Sequence, residues 1–152
     1  MRVLLQTIIV IAAYTALSGC LRGPKPFQTQ SGLQISILRQ GKGPEVVPRA
    51  EVEIHEITSL MNGEVVASTY KRGYPLRFCQ GGRTVIKGVD EAVLGMKTGE
   101  IRSVIVPPHL SRRGYRSKKF APEDTLHYKL ELVRIVGSSC NQLSKPPDDR
   151  AN

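Results

Sequence analysis

Apolar and polar residues alternate most cleanly in two stretches. Val52 and Ile54 alternate with Glu51, Glu53 and His55, and Leu126, Tyr128, Leu130 and Leu132 alternate with His127, Lys129 and Glu131. A period of two sends each set to one face, so both stretches predict strands buried on one side. Residues 33–38 (LQISIL) and 101–106 (IRSVIV) predict two more, the first broken by Gly41-Lys42-Gly43-Pro44 and the second stopped by Pro107-Pro108. Asn62-Gly63 predicts a hairpin turn, because both residues tolerate positive φ, with residues 64–70 as the returning arm. Pro75 to Cys79 predicts a short edge strand.

The period changes in between. Val85, Ile86, Val89, Ala92, Val93 and Met96 fall at helical spacing, which predicts a short helix with one apolar face, ended by Lys97-Thr98-Gly99. Residues 109–124 read as a long, polar, basic loop, and the tail after Gly137, ending PPDDRAN, as disordered. About five strands and one short helix make an α+β domain, an antiparallel sheet covered on one face by the helix. No internal repeat is present.

The N-terminus follows a different logic. Arg2 precedes the apolar run VLLQTIIVIAAYTAL at 3–17, which has signal-peptide length. A transmembrane helix needs about 20 apolar residues. The run ends at Leu17-Ser18-Gly19-Cys20, which resembles a bacterial lipobox. That resemblance implies cleavage before Cys20 and its lipidation, with two or three acyl chains giving stable anchorage. Residues 1–19 are then the signal peptide, 20–30 a tether, 31–137 the folded domain and 138–152 a disordered tail. Leu21 follows the Cys, which favours an outer-membrane anchor facing the periplasm.

Composition narrows the class. Lys+Arg 22 against Asp+Glu 13 gives a net charge of +9, with 40% hydrophobic and 23% charged residues. These values exclude an acidic disordered chain, a collagen-like chain and a multi-span membrane protein. The absence of Trp and the presence of 3 Phe leave Val, Ile and Leu to build the core. Three Cys are too few for a disulfide framework. Cys79 and Cys140 remain after lipidation; they could be oxidised together in an exported protein, but Cys140 sits in the loose tail.

Three motifs carry a family resemblance. Val85-Ile86-Lys87-Gly88-Val89-Asp90-Glu91 is followed by Met96 and Gly99. Arg102 leads through Val104-Ile105-Val106 to Pro107-Pro108-His109-Leu110. Ala121-Pro122-Glu123-Asp124-Thr125-Leu126-His127-Tyr128 then precedes Leu130-Glu131-Leu132. In this order and spacing, residues 31–136 resemble the FKBP-type peptidyl-prolyl isomerases. The resemblance implies a twisted antiparallel sheet of five or six strands wrapping one short helix, with an apolar pocket between them. It implies isomerisation of X–Pro bonds with no metal and no cofactor.

Residue by residue, the resemblance assigns Val85, Ile86 and Tyr128 to the catalytic pocket, with the Ile86 N–H as donor to a ligand carbonyl. The other binding positions depart from the family. Glu56 stands for a Tyr, Val66 and Ala67 for a Phe-Asp pair, Leu76 for a Phe and Val89 for a pocket-floor Trp. Arg112 replaces a Tyr that Tyr115 restores if the loop shifts, and Phe120 completes the binding set. These substitutions imply reduced catalysis in an envelope folding factor, or a binding module of the same fold that grips peptides without isomerising them. The remaining rival is a basic envelope protein held against anionic lipid or polymer.

His55 is structural by its place in a sheet motif, and His109 and His127 have no ligand spacing to any Cys. Residues 112–119 (RRGYRSKK) place five cations in eight positions. In the resemblance this loop overhangs the pocket, which makes acidic-flanked, proline-containing segments the expected partners. The membrane is reached through the lipid, nucleic acid is not expected, and the chain is expected to be a monomer.

Overall fold

The computed structural model describes residues 25–111 and 120–140. Five strands come before the first described helix: β1 (Phe27–Gln28), β2 (Gln34–Arg39), β3 (Lys42–Glu45), β4 (Glu51–Leu60) and β5 (Val65–Ser68). Helix α1 (Thr69–Arg72) leads to β6 (Leu76–Cys79) and helix α2 (Lys87–Ala92). Then come β7 (Lys97–Thr98), β8 (Ile101–Val106), helix α3 (Pro108–Ser111) and β9 (Leu126–Gly137). The main sheet runs β1-β2-β8-β9-β4-β5 with every pairing antiparallel, and β6 also lies on β4.

The two alternating stretches become neighbours at the centre. β4 and β9 pair from Leu60↔Leu126 to Glu51↔Gly137. Val52, Ile54, Glu56, Thr58 and Ser59 of β4, Leu126, Tyr128, Leu130 and Leu132 of β9, and Arg102, Val104 and Val106 of β8 are the buried positions. They join Ile86, Val89, Ala92, Val93 and Met96 in or around one core. Fully burying each of these aliphatic chains contributes about 1.5–3 kcal/mol.

α2 sits very close to the sheet. A Cβ on Gly88 would lie 2.5 Å from Val106 Cγ1 and 3.3 Å from Leu33 Cδ2. The far end of α2 is held by the Arg102 guanidinium, which donates to the carbonyls of Ala92 at 2.8 Å and Leu94 at 2.9 Å. Arg102 Nε also donates to Glu100 Oε1 at 2.6 Å, and Glu100 Oε2 accepts the Lys97 N–H. Both side chains are buried, so each charge depends on the other to offset its desolvation.

Several details differ from the sequence reading. Gly41–Pro44 was expected to break the chain, yet Lys42–Glu45 pairs with Lys97–Thr98 as a second, two-stranded ribbon. Gly41 makes that ribbon possible, because a Cβ there would meet the Lys97 carbonyl oxygen at 2.4 Å. The helix is also shorter than the period from 85 to 96 suggested. Gly95 takes φ 71°, and Val93 and Met96 reach the core from a turn tied to Val46 by Val46 N–H→Met96 O and Gly95 N–H→Val46 O. Residues 64–70 split into β5 and α1, and α3 occupies the start of the expected loop. Among the described residues, three short helices therefore stand where one was expected. Phe27–Gln28 of the expected tether pairs with β2.

The tail correction is larger. Cys140, read as loose, is disulfide-bonded to Cys79 with the Cα atoms 6.0 Å apart. Glu51 explains the meeting: it pairs with Cys79 on one side and Gly137 on the other. The chain leaving β9 crosses the start of β4, where the Cys140 N–H donates to the Arg49 carbonyl at 2.8 Å.

The opposite face carries a polar lattice. Arg39 and the Tyr70 hydroxyl both donate to Glu131, and the Tyr70 ring stacks on His55 at 4.4 Å. Partial burial, reinforced by the Glu131 carboxylate, pushes the Tyr70 phenol up to about 12. The Tyr70 hydroxyl and then Arg39 hold Glu131 below the ordinary carboxylate range.

Gly88→Ala will destabilise the fold by about 1–3 kcal/mol, the usual cost of an overpacked core. In a Val106→Ala background the same change will cost less, because the colliding methyl groups are gone. Urea unfolding of the four proteins of this cycle checks both; equal costs in the two backgrounds would contradict the packing described.

Candidate functional site

The inner face carries an apolar patch whose deepest members are Ile86, Val89 and Tyr128, exposed by 2%, 1% and 1%. Leu60, Leu76, Val85 and Phe120 are half-buried and pack against that core. Tyr128 lies between Thr58 of β4 and Val104 of β8, so its ring rests on the sheet's centre line. Leu76 reaches the same face opposite Ile54. Phe120 re-enters just before a turn in which the Ala121 N–H donates to the Asp124 carboxylate at 2.7 Å. That turn leads directly into β9.

Val85 lies in a bend, and Ile86 approaches α2 in extended conformation. Ile86 is the residue before the helix, with φ −65° and ψ 152° and no side-chain cap. Its carbonyl accepts the first helical bond, from the Asp90 N–H at 3.0 Å. Among the described residues no acceptor faces the Ile86 N–H. A backbone donor at a helix start is a ready partner for a carbonyl.

The approach to this turn is fixed by side chains. The Gly81 N–H donates to Asp90 Oδ1 at 2.7 Å, and Gln80 bridges the Arg49 N–H and the Asp90 carbonyl. Burial pushes the Asp90 carboxyl up, and the Gly81 N–H partly offsets that. On the other side, Ser31 donates to Glu91 at 2.7 Å, and the Ser31 carbonyl is bonded by His109 Nε2. α2 is thus tied at its start, along its side and at its end.

Glu56 points inward, beside Leu130, and is buried. β6 leaves β4 at Ile54 and β5 rejoins it at Ile57. In that gap Thr69 Oγ1 accepts the Glu56 N–H at 2.8 Å, donates to the Glu56 carbonyl at 3.2 Å and bonds His55 Nδ1 at 3.0 Å. One hydroxyl thereby replaces a missing strand partner. Val66 is buried where the register slips between Thr58 and Ser59. Ala67 is exposed and adds nothing to the buried wall.

The structure therefore brings together Val85, Ile86, Val89, Leu76, Phe120 and Tyr128, with Glu56 and Val66 also buried. Arg112, Tyr115 and Cys20 lie outside the described residues. His55 has the structural role expected of it. Among the described residues no group of three or more His, Cys, Asp or Glu could hold a metal. Sequence reasoning missed Thr69, for which no signal existed, and the Arg102–Glu100 pair, for which one did. Arg102 shares the alternation of Val104 and Val106, and a cation on an apolar face must find a partner.

The arrangement can grip a flat apolar ring and offer one backbone donor beside it, without a nucleophile. Residues 43–133 match the family model described as FKBP-type peptidyl-prolyl cis-trans isomerase. FK506-binding protein 1A of Neurospora crassa is 39% identical over 108 residues, covering 70% of this chain and 90% of that protein. Peptidyl-prolyl cis-trans isomerase Mip of Coxiella burnetii is 35% identical over 106 residues, 69% of this chain but 45% of that longer protein. The crystal structure of AtFKBP13 superposes with a TM-score of 0.66 at 31% identity, covering 73% of this chain and 98% of that one. The chain belongs to the FKBP-type peptidyl-prolyl cis-trans isomerase family.

Proposed function

We propose that this chain is a prolyl isomerase of reduced catalytic power that assists protein folding in the bacterial envelope, held there by lipid on Cys20. The observation that carries the catalytic reading is the Ile86 N–H, which meets no acceptor among the described residues, in the turn that carries the buried Ile86 and Val89 side chains of the core shared with Tyr128. Rotation about an X–Pro bond faces a barrier of about 18–20 kcal/mol, nearly all of it amide resonance. A water-poor apolar wall holds the ring and favours the twisted amide, which has lost that resonance. The Ile86 N–H fixes a flanking carbonyl of the peptide. Only contacts better made to the twisted form lower the barrier.

Reduced power follows from the same wall. The buried carboxyl of Glu56 occupies a position where the family has a phenol, and outside the wall the exposed Ala67, paired with Thr58, stands where the family has an acidic group. Leu76 and Val66 replace aromatic surface with smaller aliphatic surface. Each change weakens complementarity to the twisted amide while leaving the scaffold intact. The envelope reading is supported by the apolar run at 3–17 and by Leu17-Ser18-Gly19-Cys20. The basic stretch 112–119 supports acidic-flanked, proline-containing segments as clients, through steered encounter more than tight contact.

In a prolyl isomerisation assay on peptides varying the residue before Pro, the full chain will turn over at least about tenfold more slowly than family members with the aromatic wall. Glu56→Tyr with Ala67→Asp will recover about tenfold in kcat/KM, equivalent to about 1.4 kcal/mol of transition-state stabilisation. Ordinary family rates in the unaltered chain would contradict the reduced-activity reading. Peptide binding with no turnover, before and after the substitutions, would establish the binding-module reading instead.

Mass spectrometry of membrane fractions will find Cys20 acylated at a new N-terminus. Cys20→Ser will leave an unprocessed precursor. An unmodified Cys20 in the wild-type membrane fraction would overturn the envelope assignment.

A further inference from the structure

Twelve residues, NQLSKPPDDRAN, follow Cys140 (152 − 140 = 12). They contain Pro146-Pro147, followed at once by Asp148-Asp149. We propose that this tail is an internal ligand of the proline site, with Pro146-Pro147 docking against the Val85–Ile86 turn and competing with substrate. The proposal rests on the reading of that turn as a proline site.

The anchor of the tail makes the docking geometrically open. The disulfide fixes Cys140 with its Cα 6.0 Å from that of Cys79, at the head of the segment that runs into Val85 and Ile86. That segment folds back on α2 at once, since the Gly81 N–H lies 2.7 Å from Asp90 Oδ1. Asp90 in turn sits one helical turn from Ile86, its N–H 3.0 Å from the Ile86 carbonyl. Each of these steps spans about one helical turn, ~5–6 Å, or less. The two residues from Cys79 to Gly81 add up to about 7 Å and the Asp90 side chain about 4 Å, and the seven residues from Cys140 to Pro147, which reach up to about 25 Å when extended, cover the whole path.

Chemistry selects the same site. Consecutive prolines are pre-set in the extended polyproline conformation, so docking them orders little further chain. Arg83 and Lys87 are exposed on either side of Val85–Ile86. An acidic pair just beyond the prolines is attracted to those two cations. Without the disulfide, the tail would leave from the end of β9; with it, the tail leaves from the site's own approach loop. A short tether of this kind raises the local concentration of the tail to the order of mM, enough to occupy a weak proline site much of the time.

The test compares the full chain with two variants, one ending at Cys140 and one carrying Pro146→Ala with Pro147→Ala. Both keep every residue of the described fold. Two readouts are used: the NMR resonances of the Tyr128 ring and Ile86 methyl groups, and KM for an Xaa-Pro test peptide. Both variants are expected to move those resonances to the same new positions and to lower KM by about 3- to 10-fold at unchanged kcat. Adding the peptide NQLSKPPDDRAN at millimolar concentration to the shortened chain is expected to shift the resonances back. Identical Tyr128 and Ile86 resonances in all three proteins would overturn the proposal, as would a change on shortening that Pro146→Ala with Pro147→Ala does not reproduce. If the shortened chain neither binds nor isomerises the test peptide, the proline-site reading itself fails. If it does both while the resonances and KM stay as in the full chain, only the tail proposal fails.

Discussion

The close seating of one short helix on the sheet is the constraint on which the site depends. Lys87–Ala92 has only six residues, too few to be stable alone. It exists because Gly88 lets its backbone settle against Val106 and Leu33, and because Arg102 satisfies the carbonyls at its far end. The Ile86 N–H is a by-product of that placement. Where the helix starts, the donor is, and the helix shares one core with Tyr128. The cation that secures the helix is itself secured by Glu100, the residue just before β8, so helix position and strand β8 form one unit.

A site of this kind needs stiffness more than reactive groups. The substrate changes only by rotation, and the protein's contribution is to fit the rotated form better than either planar one. Rigidity around the cleft is visible in the number of independent ties to the helix and its approach: Asp90 to Gly81, Glu91 to Ser31, Gln80 to Arg49. Thr69 performs the same service for β4, closing the backbone of Glu56 where neither β5 nor β6 reaches. The aromatic wall, by contrast, can be exchanged for aliphatic groups without disturbing any of these ties. On the proposed reading, family membership and catalytic power are separable in this chain.

Much of this was legible in the sequence, for identifiable reasons. Strict alternation located β4 and β9, Pro107-Pro108 marked the end of β8, and Asn62-Gly63 located the hairpin, where Gly63 takes φ 91°. What stayed hidden depended on contacts across long separations. Gly41 looked like a breaker because its function, admitting the Lys97 backbone, is a tertiary one. The period through Met96 overstated the helix because buried residues in a turn can mimic helical spacing. The Cys79–Cys140 bond spans 61 positions and follows only from the register that places Cys79 and Gly137 on either side of Glu51. Of the pocket positions that the resemblance named, Glu56 and Val89 are buried, whereas Ala67 is exposed. The β-bulge at Thr58/Ser59 separates Val66 from its neighbour, and no pattern in VVAS announces it.

The central claim is that the helix presents the Ile86 N–H to a substrate carbonyl. Titration of the full chain with a short Xaa-Pro peptide, followed through backbone amide proton shifts, tests it directly. The account predicts that the Ile86 amide proton moves furthest downfield on saturation, as a new hydrogen bond forms there, with smaller shifts confined to its neighbours in the cleft. An Ile86 amide that stays put while other residues saturate would place the peptide elsewhere and contradict it.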